Sequence, residues 1–252
     1  TAGHRIAIDY YGSTDTSENV ATGASSGTQI AGYSATTAQT EAMILKSVPT
    51  VALVALTDTV LSNSTMAIFK FSVAADVKGD IDLYKFTFKI ATSGPAETTA
   101  LAIDDITLVD VTGGIETTLN ASTSNFYVSV GNIVESVLLA SPGTQNLATT
   151  TRTVSAGTTR IFELRASITG SITGASIKTQ LEGDAAKVVL VGGTLWERDA
   201  VEADASDDFI WSDLSDVNHT NTLFDSTVTD YLNGYLVSGL PSSATAQQTV
   251  SK

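Results

Sequence analysis

The chain has 252 residues, a formal net charge of −14 and no cysteine. An acidic field of that size repels phosphate backbones and anionic membrane surfaces and attracts divalent cations, so nucleic acid is excluded as a partner. The missing cysteines exclude a disulfide framework, a thiolate zinc site and a cysteine nucleophile.

Residues 1–46 read as an N-terminal arm. His4–Gly12 (HRIAIDYYG) has the pattern of a short strand, and Ile6, Ile8 and Tyr10 are its candidate contact residues. Ser13–Thr40 is rich in Gly, Ser, Thr and Ala, the composition of loop or extended chain. Met43–Pro49 then leads into a strand over Thr50–Leu56, and Leu61–Thr65 is a turn.

Met66–Ile90 carries the clearest pattern. Phe69, Phe71 and Val73 alternate with Lys70, Ser72 and Ala74, and Tyr84, Phe86, Phe88 and Ile90 alternate with Lys85, Thr87 and Lys89. A period of two predicts strands with one face buried and one wet, and the short Gly79 turn between them predicts a hairpin. Lys85, Thr87 and Lys89 are therefore expected in water.

Leu101–Val111 is a further strand, closed by Gly113-Gly114. Ile115–Leu119 and Asn125–Val130 are strands, and Ile133–Leu139 fits a strand or one helical turn. Pro142-Gly143 marks a sub-boundary. After Thr151–Val154 and a turn at Ser155–Gly157, Arg160–Thr169 alternates again, with Phe162, Leu164, Ala166 and Ile168 inward. Ala175–Leu181, Lys187–Val191 and Phe209–Asp213 complete the strands. This succession predicts an all-β protein, an immunoglobulin-like antiparallel β-sandwich over residues 47–218, with the extended arm before it and a C-terminal segment, 219–252, as an appendage.

An apolar fraction of 42% suffices for a sizeable core. The charged fraction of 16% is low, and Ser and Thr fill the difference. No apolar run reaches bilayer-spanning length, so membrane insertion is not expected. A start at Thr1 points to a processed, secreted chain ahead of a fragment.

Candidate chemistry is sparse. His4 and His219 have no partner at metal-ligand spacing. There is no nucleophile elbow and no phosphate-binding loop. Carboxylates are the abundant reactive type: Asp104, Asp105 and Asp110 flank one strand, and Glu202, Asp204, Asp207, Asp208, Asp213 and Asp216 surround Trp211. Asp204, Asp207, Asp208 and Asp213 are candidate calcium ligands, against a solvated acidic loop as the plain alternative. Trp196, Trp211, Tyr10, Tyr11, Tyr231 and Tyr235 are the aromatics available to a glycan-binding platform, although strand aromatics mostly form core. Asn63, Asn120 and Asn218 stand in glycosylation acceptor patterns.

MILKSVPTVALVAL (Met43–Leu56), IFKFSVAADVKGDIDLYKFTFKI (Ile68–Ile90), VSAGTTRIFELRASITG (Val154–Gly170) and DDFIWSDLS with YLNGYLVSGLPSS (within Asp207–Ser243) together resemble a family of bacterial extracellular β-sandwich proteins of surface layers and filaments. The resemblance covers most of residues 43–243 and supplies no site residues. It implies a cell-surface location and a non-enzymatic role; no cofactor is expected beyond calcium at the acidic cluster. The arm adds the expectation of a homopolymer in which the Ile6, Ile8 and Tyr10 strand is donated to the sheet edge of a neighbouring copy. A secreted carbohydrate-binding or adhesive module is the alternative, with a glycan as partner.

Overall fold

In the computed structural model the alternating runs are strands. The regular structure is all β with antiparallel sheets, apart from one 3-10 turn at Thr112–Gly114. The structure describes residues 5–7, 20–22, 29–31, 41–43, 45–94, 101–121, 132–138, 153–186, 208–214, 232–241 and 244–252. The expected strands at Asn125–Val130 and Lys187–Val191 and the sub-boundary at Pro142-Gly143 lie outside them. The chain divides into two units, Thr1–Ile44 and Leu45–Lys252.

In the smaller unit β1 (Arg5–Ala7) pairs with β4 (Glu41–Met43), and β2 (Val20–Thr22) pairs with β3 (Gln29–Ala31), both antiparallel. The arm is thus not a bare extended chain: Ile6 already has Ala42 across from it. Ile8 and Tyr10 lie outside the described residues. A two-stranded ribbon by itself is marginal in water.

The larger unit holds two sheets. The five-stranded sheet runs β5 (Pro49–Leu53), β6 (Thr65–Ala75), β12 (Thr159–Thr169), β8 (Ala102–Asp110), β9 (Thr117–Ala121). The six-stranded sheet is built on β7 (Ile81–Ser93). One side of β7 receives β10 (Asn132–Leu138) and β11 (Thr153–Val154). The other receives β13 (Ser176–Leu181) and β14 (Phe209–Ser212), and β15 (Gln248–Ser251) adds to β13.

β6 and β7 are not the expected hairpin, because they lie in different sheets. The turn between them is an arch. Asp76 accepts the Lys78 amide at 2.9 Å, and Asp80 accepts the Ala156 amide at 2.8 Å. The arch lets the two phenylalanine faces meet across the core instead of lying side by side. Phe71 packs on Phe86 edge to face at 5.2 Å and on Phe162 at 5.3 Å, and Phe69 meets Phe88 at 5.8 Å. Ile68, Leu164, Ile168, Ile90 and Phe209 complete this core.

The C-terminal segment is no appendage. It supplies β15, buries Leu232, Val237, Leu240 and Val250, and seals one flank of the unit. The outer edge of β15 is bridged by Val60, with Leu61 N–H donating to the Ser251 carbonyl at 3.0 Å. The outer edge of β5 is met by Ser238, whose carbonyl accepts the Val51 amide at 2.8 Å. Gly239, at φ 78°, permits that approach, since a Cβ there would stand 1.7 Å from the Val51 carbonyl oxygen. Gln248 ties the sheets together, accepting the Lys70 amide and donating to the Val54 carbonyl, each at 2.7 Å. At the far end of each sheet, among the described residues, nothing pairs with the outer edge of β9 or of β10.

Candidate functional site

Lys85 and Thr87 are not in water. Both are 0% exposed on the face of β7 opposite the phenylalanines. Tyr84, Phe86 and Phe88 take the core face as alternation requires, so the pattern is right and the environment of its second face is not. Trp211 and Leu232 pair beside this face, and Asp184 and Asn233 are buried with it.

Thr87 is the hub. Its N–H donates to the Asp208 carbonyl, and its carbonyl accepts the Glu182 amide, both at 2.8 Å. The end of β13 and the start of β14 thus meet on one residue, bringing Glu182 and Asp208 to the face that Lys85 and Thr87 share. Asp184 follows in the turn. Its Oδ1 accepts the Asp208 amide at 2.9 Å, and its Oδ2 accepts the amides of Gly234 at 2.6 Å and Phe209 at 3.3 Å. Gly234 must be glycine here, because a Cβ would lie 2.8 Å from that carboxylate and 2.7 Å from Leu240. Trp211 Nε1 donates to the Asn233 carbonyl at 2.9 Å, and the Asn233 amide donates to the Ala186 carbonyl at 2.8 Å. The NGYLVSGLP segment therefore packs over an acidic, lysine-bearing face of this sheet.

The electrostatics follow from burial. The Asp208 carboxyl is pushed up to about 7, first by burial and then by the charge of Asp184, while a Thr87 hydrogen bond opposes the shift. Asp184 is also raised by burial, and its backbone donors and the Lys85 charge pull it back. Carboxyls raised by burial on the same sheet face as a buried lysine mark a candidate site.

The sequence reading reached only part of this cluster. Asp208 was singled out, but as a calcium ligand. Asp204 and Asp207 lie outside the described residues. Asp208 and Asp213 flank the four residues of β14, so about 15 Å of strand separates them, too far for one ion. Asp213 instead accepts the Lys46 amide at 2.7 Å. Among the described residues no group of three potential ligands gathers. Lys85, Thr87 and Asp184 carried no local signal: a lysine in an alternating run reads as solvent-facing until a distant segment covers it. Of the aromatics, Trp211 is core, Tyr235 is exposed, and Trp196, Tyr10, Tyr11 and Tyr231 lie outside the described residues. His4 and His219 do too. Asn63 spends its side-chain oxygen on the Ser171 amide at 2.7 Å.

A second charged array lies on the outer face of the five-stranded sheet. Glu163 takes Lys70 Nζ at 2.9 Å and Arg165 Nη2 at 2.7 Å, and Arg165 reaches on to Glu116 at 2.6 Å. Burial pushes the Glu163 carboxyl up, but the bonds from Lys70 and Arg165 outweigh it and hold the group below its ordinary range. A carboxyl depressed in the folded state stabilises fully above its unfolded value and loses that stabilisation as pH falls through the folded one. Glu163→Gln is expected to cost about 1–2 kcal/mol at pH 7 and to flatten the loss of stability below pH 4.5, read by urea unfolding at stepped pH.

No protein-family model and no curated protein matches the chain. A solved structure described as "AvmM Catalyzes Macrocyclization in Alchivemycin A Biosynthesis" is similar over 53% of this chain and 72% of its own, with 11% identity and a TM-score of 0.27. That structure is of a catalyst, and on this finding the expectation of a non-enzymatic chain is corrected: it is set aside. A likeness this slight brings neither fold nor activity to the present chain.

Proposed function

We propose that the chain is a structural subunit of an extracellular, cell-surface assembly, a filament or surface layer, whose copies join by β-strand addition. In this reading the larger unit is an immunoglobulin-like sandwich. The observation that carries it is the asymmetry of its edges. The β5 edge is met by Ser238 of the C-terminal segment and the β15 edge by Val60 and Leu61, while β9, like β10, keeps an outer edge that no described residue pairs. An unpaired edge is a template for another strand, and polymers turn it into their contact. Thr117, Thr118 and Leu119 offer that edge without a charged side chain to blunt it. The arm supplies the complementary half. Its two-stranded ribbons need a further sheet to pack on, and β1 has one side unused by β4 among the described residues.

The absence of cysteine gives a clean test. A chain carrying both Ile6→Cys and Thr118→Cys is expected to form a ladder of disulfide-linked oligomers on mild oxidation, while either single variant stops at dimers. Removal of residues 1–44 is expected to leave a folded monomer with an unchanged melting temperature and no assemblies by negative-stain microscopy. Unaltered assembly by the truncated chain, or a full chain that stays monomeric at high concentration, defeats the reading.

A further inference from the structure

We propose that Lys85 and Asp208 are joined by an intramolecular amide bond that the folded chain makes by itself, a covalent tie between β7 and β14. The inference stands on the geometry of these two strands and is independent of the assembly reading.

Register brings the partners together. Ile210 lies opposite Lys85, and Asp208 lies opposite Thr87, two residues further along β7. Lys85 and Asp208 are thus diagonal neighbours on one face, about 7–8 Å apart at the backbone, a span that long side chains bridge. On that face Lys85 and Thr87 are wholly buried and Asp208 is half-buried. The Lys85 charge acts on both Asp184 and Asp208. Keeping an ammonium and several carboxylates there as ions costs several kcal/mol for each ion. Condensation removes two of those charges.

The roles divide by contact. Asp208 is the electrophile, since its carboxyl holds its proton to about pH 7 and a neutral acid accepts attack where a carboxylate does not. Asp184 is fixed by three backbone amides, so it serves as the proton carrier. Thr87 donates a hydrogen bond to the Asp208 carboxyl and so supports the oxyanion of the tetrahedral intermediate. Lys85 first gives its ammonium proton to the Asp184 carboxylate, and its Nζ lone pair then forms the bond to Asp208 Cγ. The bond from Cγ to the hydroxyl breaks. Asp184 passes that proton to the leaving hydroxyl, which departs as water, and takes up the surplus proton that nitrogen releases. One amide and one water form from one amine and one acid, with no oxidation and no co-reactant. Fixed placement of the two groups replaces external activation.

High-resolution mass spectrometry of the purified full chain tests this directly. The expected result is an intact mass lighter than the sequence by one water, with a branched proteolytic fragment joining the β7 peptide to the β14 peptide through Lys85 and Asp208. Asp208→Asn is expected to form the same amide with loss of ammonia, and Lys85→Met to restore the full mass. A full sequence mass with Lys85 and Asp208 in separate linear peptides overturns the proposal. So does a missing water located elsewhere, as in a succinimide at another aspartate. The wild-type measurement decides even where a variant fails to fold.

Discussion

Phe71→Ala is expected to lower the unfolding free energy of the larger unit by about 3–5 kcal/mol. Phe71 meets the rings of Phe69 at 5.8 Å, Phe86 at 5.2 Å, Phe88 at 5.9 Å and Phe162 at 5.3 Å, so it joins both sheets. Truncation removes its transfer free energy and leaves a cavity that sheets on both sides cannot close. Rings in offset and edge geometry add about 0.5–1.5 kcal/mol for each pair lost. Against a usual total of about 5–15 kcal/mol, the loss is a large fraction. Urea unfolding followed by tryptophan fluorescence would show the midpoint fall with the slope retained. Phe71→Leu should cost less than half as much, because most of the volume is kept. A loss under about 1 kcal/mol for the alanine variant would mean that the two sheets do not meet through this ring.

The second large effect falls on the acidic cluster. Asp184→Ala is expected to cost about 3–5 kcal/mol, since it strands three backbone donors, those of Asp208, Phe209 and Gly234, two of them on buried residues and the third on Asp208. Burying the carboxylate is itself costly, which keeps the net loss below the sum of three full penalties. Asp184→Asn retains an oxygen for one or two of these donors and turns its amide toward the rest, so it should lose about half as much. Hydrogen exchange would locate the damage: the amides of Phe209 and Gly234 should lose protection while those of β12 keep it. Equal protection in both regions would show that the turn does not depend on this carboxylate.

Much of the fold is legible in the residues because strand periodicity is a local property. Phe69, Phe71, Phe86, Phe88, Phe162 and Leu164 all turn to the core as their alternation requires. The segment at Ile133–Leu139, left open between strand and helical turn, is β10. Partnership is not local. A pair of alternating runs around a short turn reads equally as a hairpin or as an arch, and the arch at Asp76–Asp80 prevails because it sets one phenylalanine face against the other. The tail after residue 218 shows only a few apolar residues in polar chain, yet Val250 is fully buried once β15 finds β13.

The candidate site shows the same division. Its Asp208 stood out among clustered acids, but Lys85, Thr87 and Asp184 did not, because nothing near them in the chain announces a cover. Local pattern by itself determined that this protein is made of antiparallel strands with aromatic inner faces, an acidic character and no thiol chemistry, since periodicity and composition act over a few residues or over none. Tertiary structure decided which sheet each strand joined, which edges were closed and which charges lost their water. Those outcomes depend on contacts between segments more than a hundred residues apart, as between Thr87 and Asp208 or Val51 and Ser238, and no short stretch of sequence contains them.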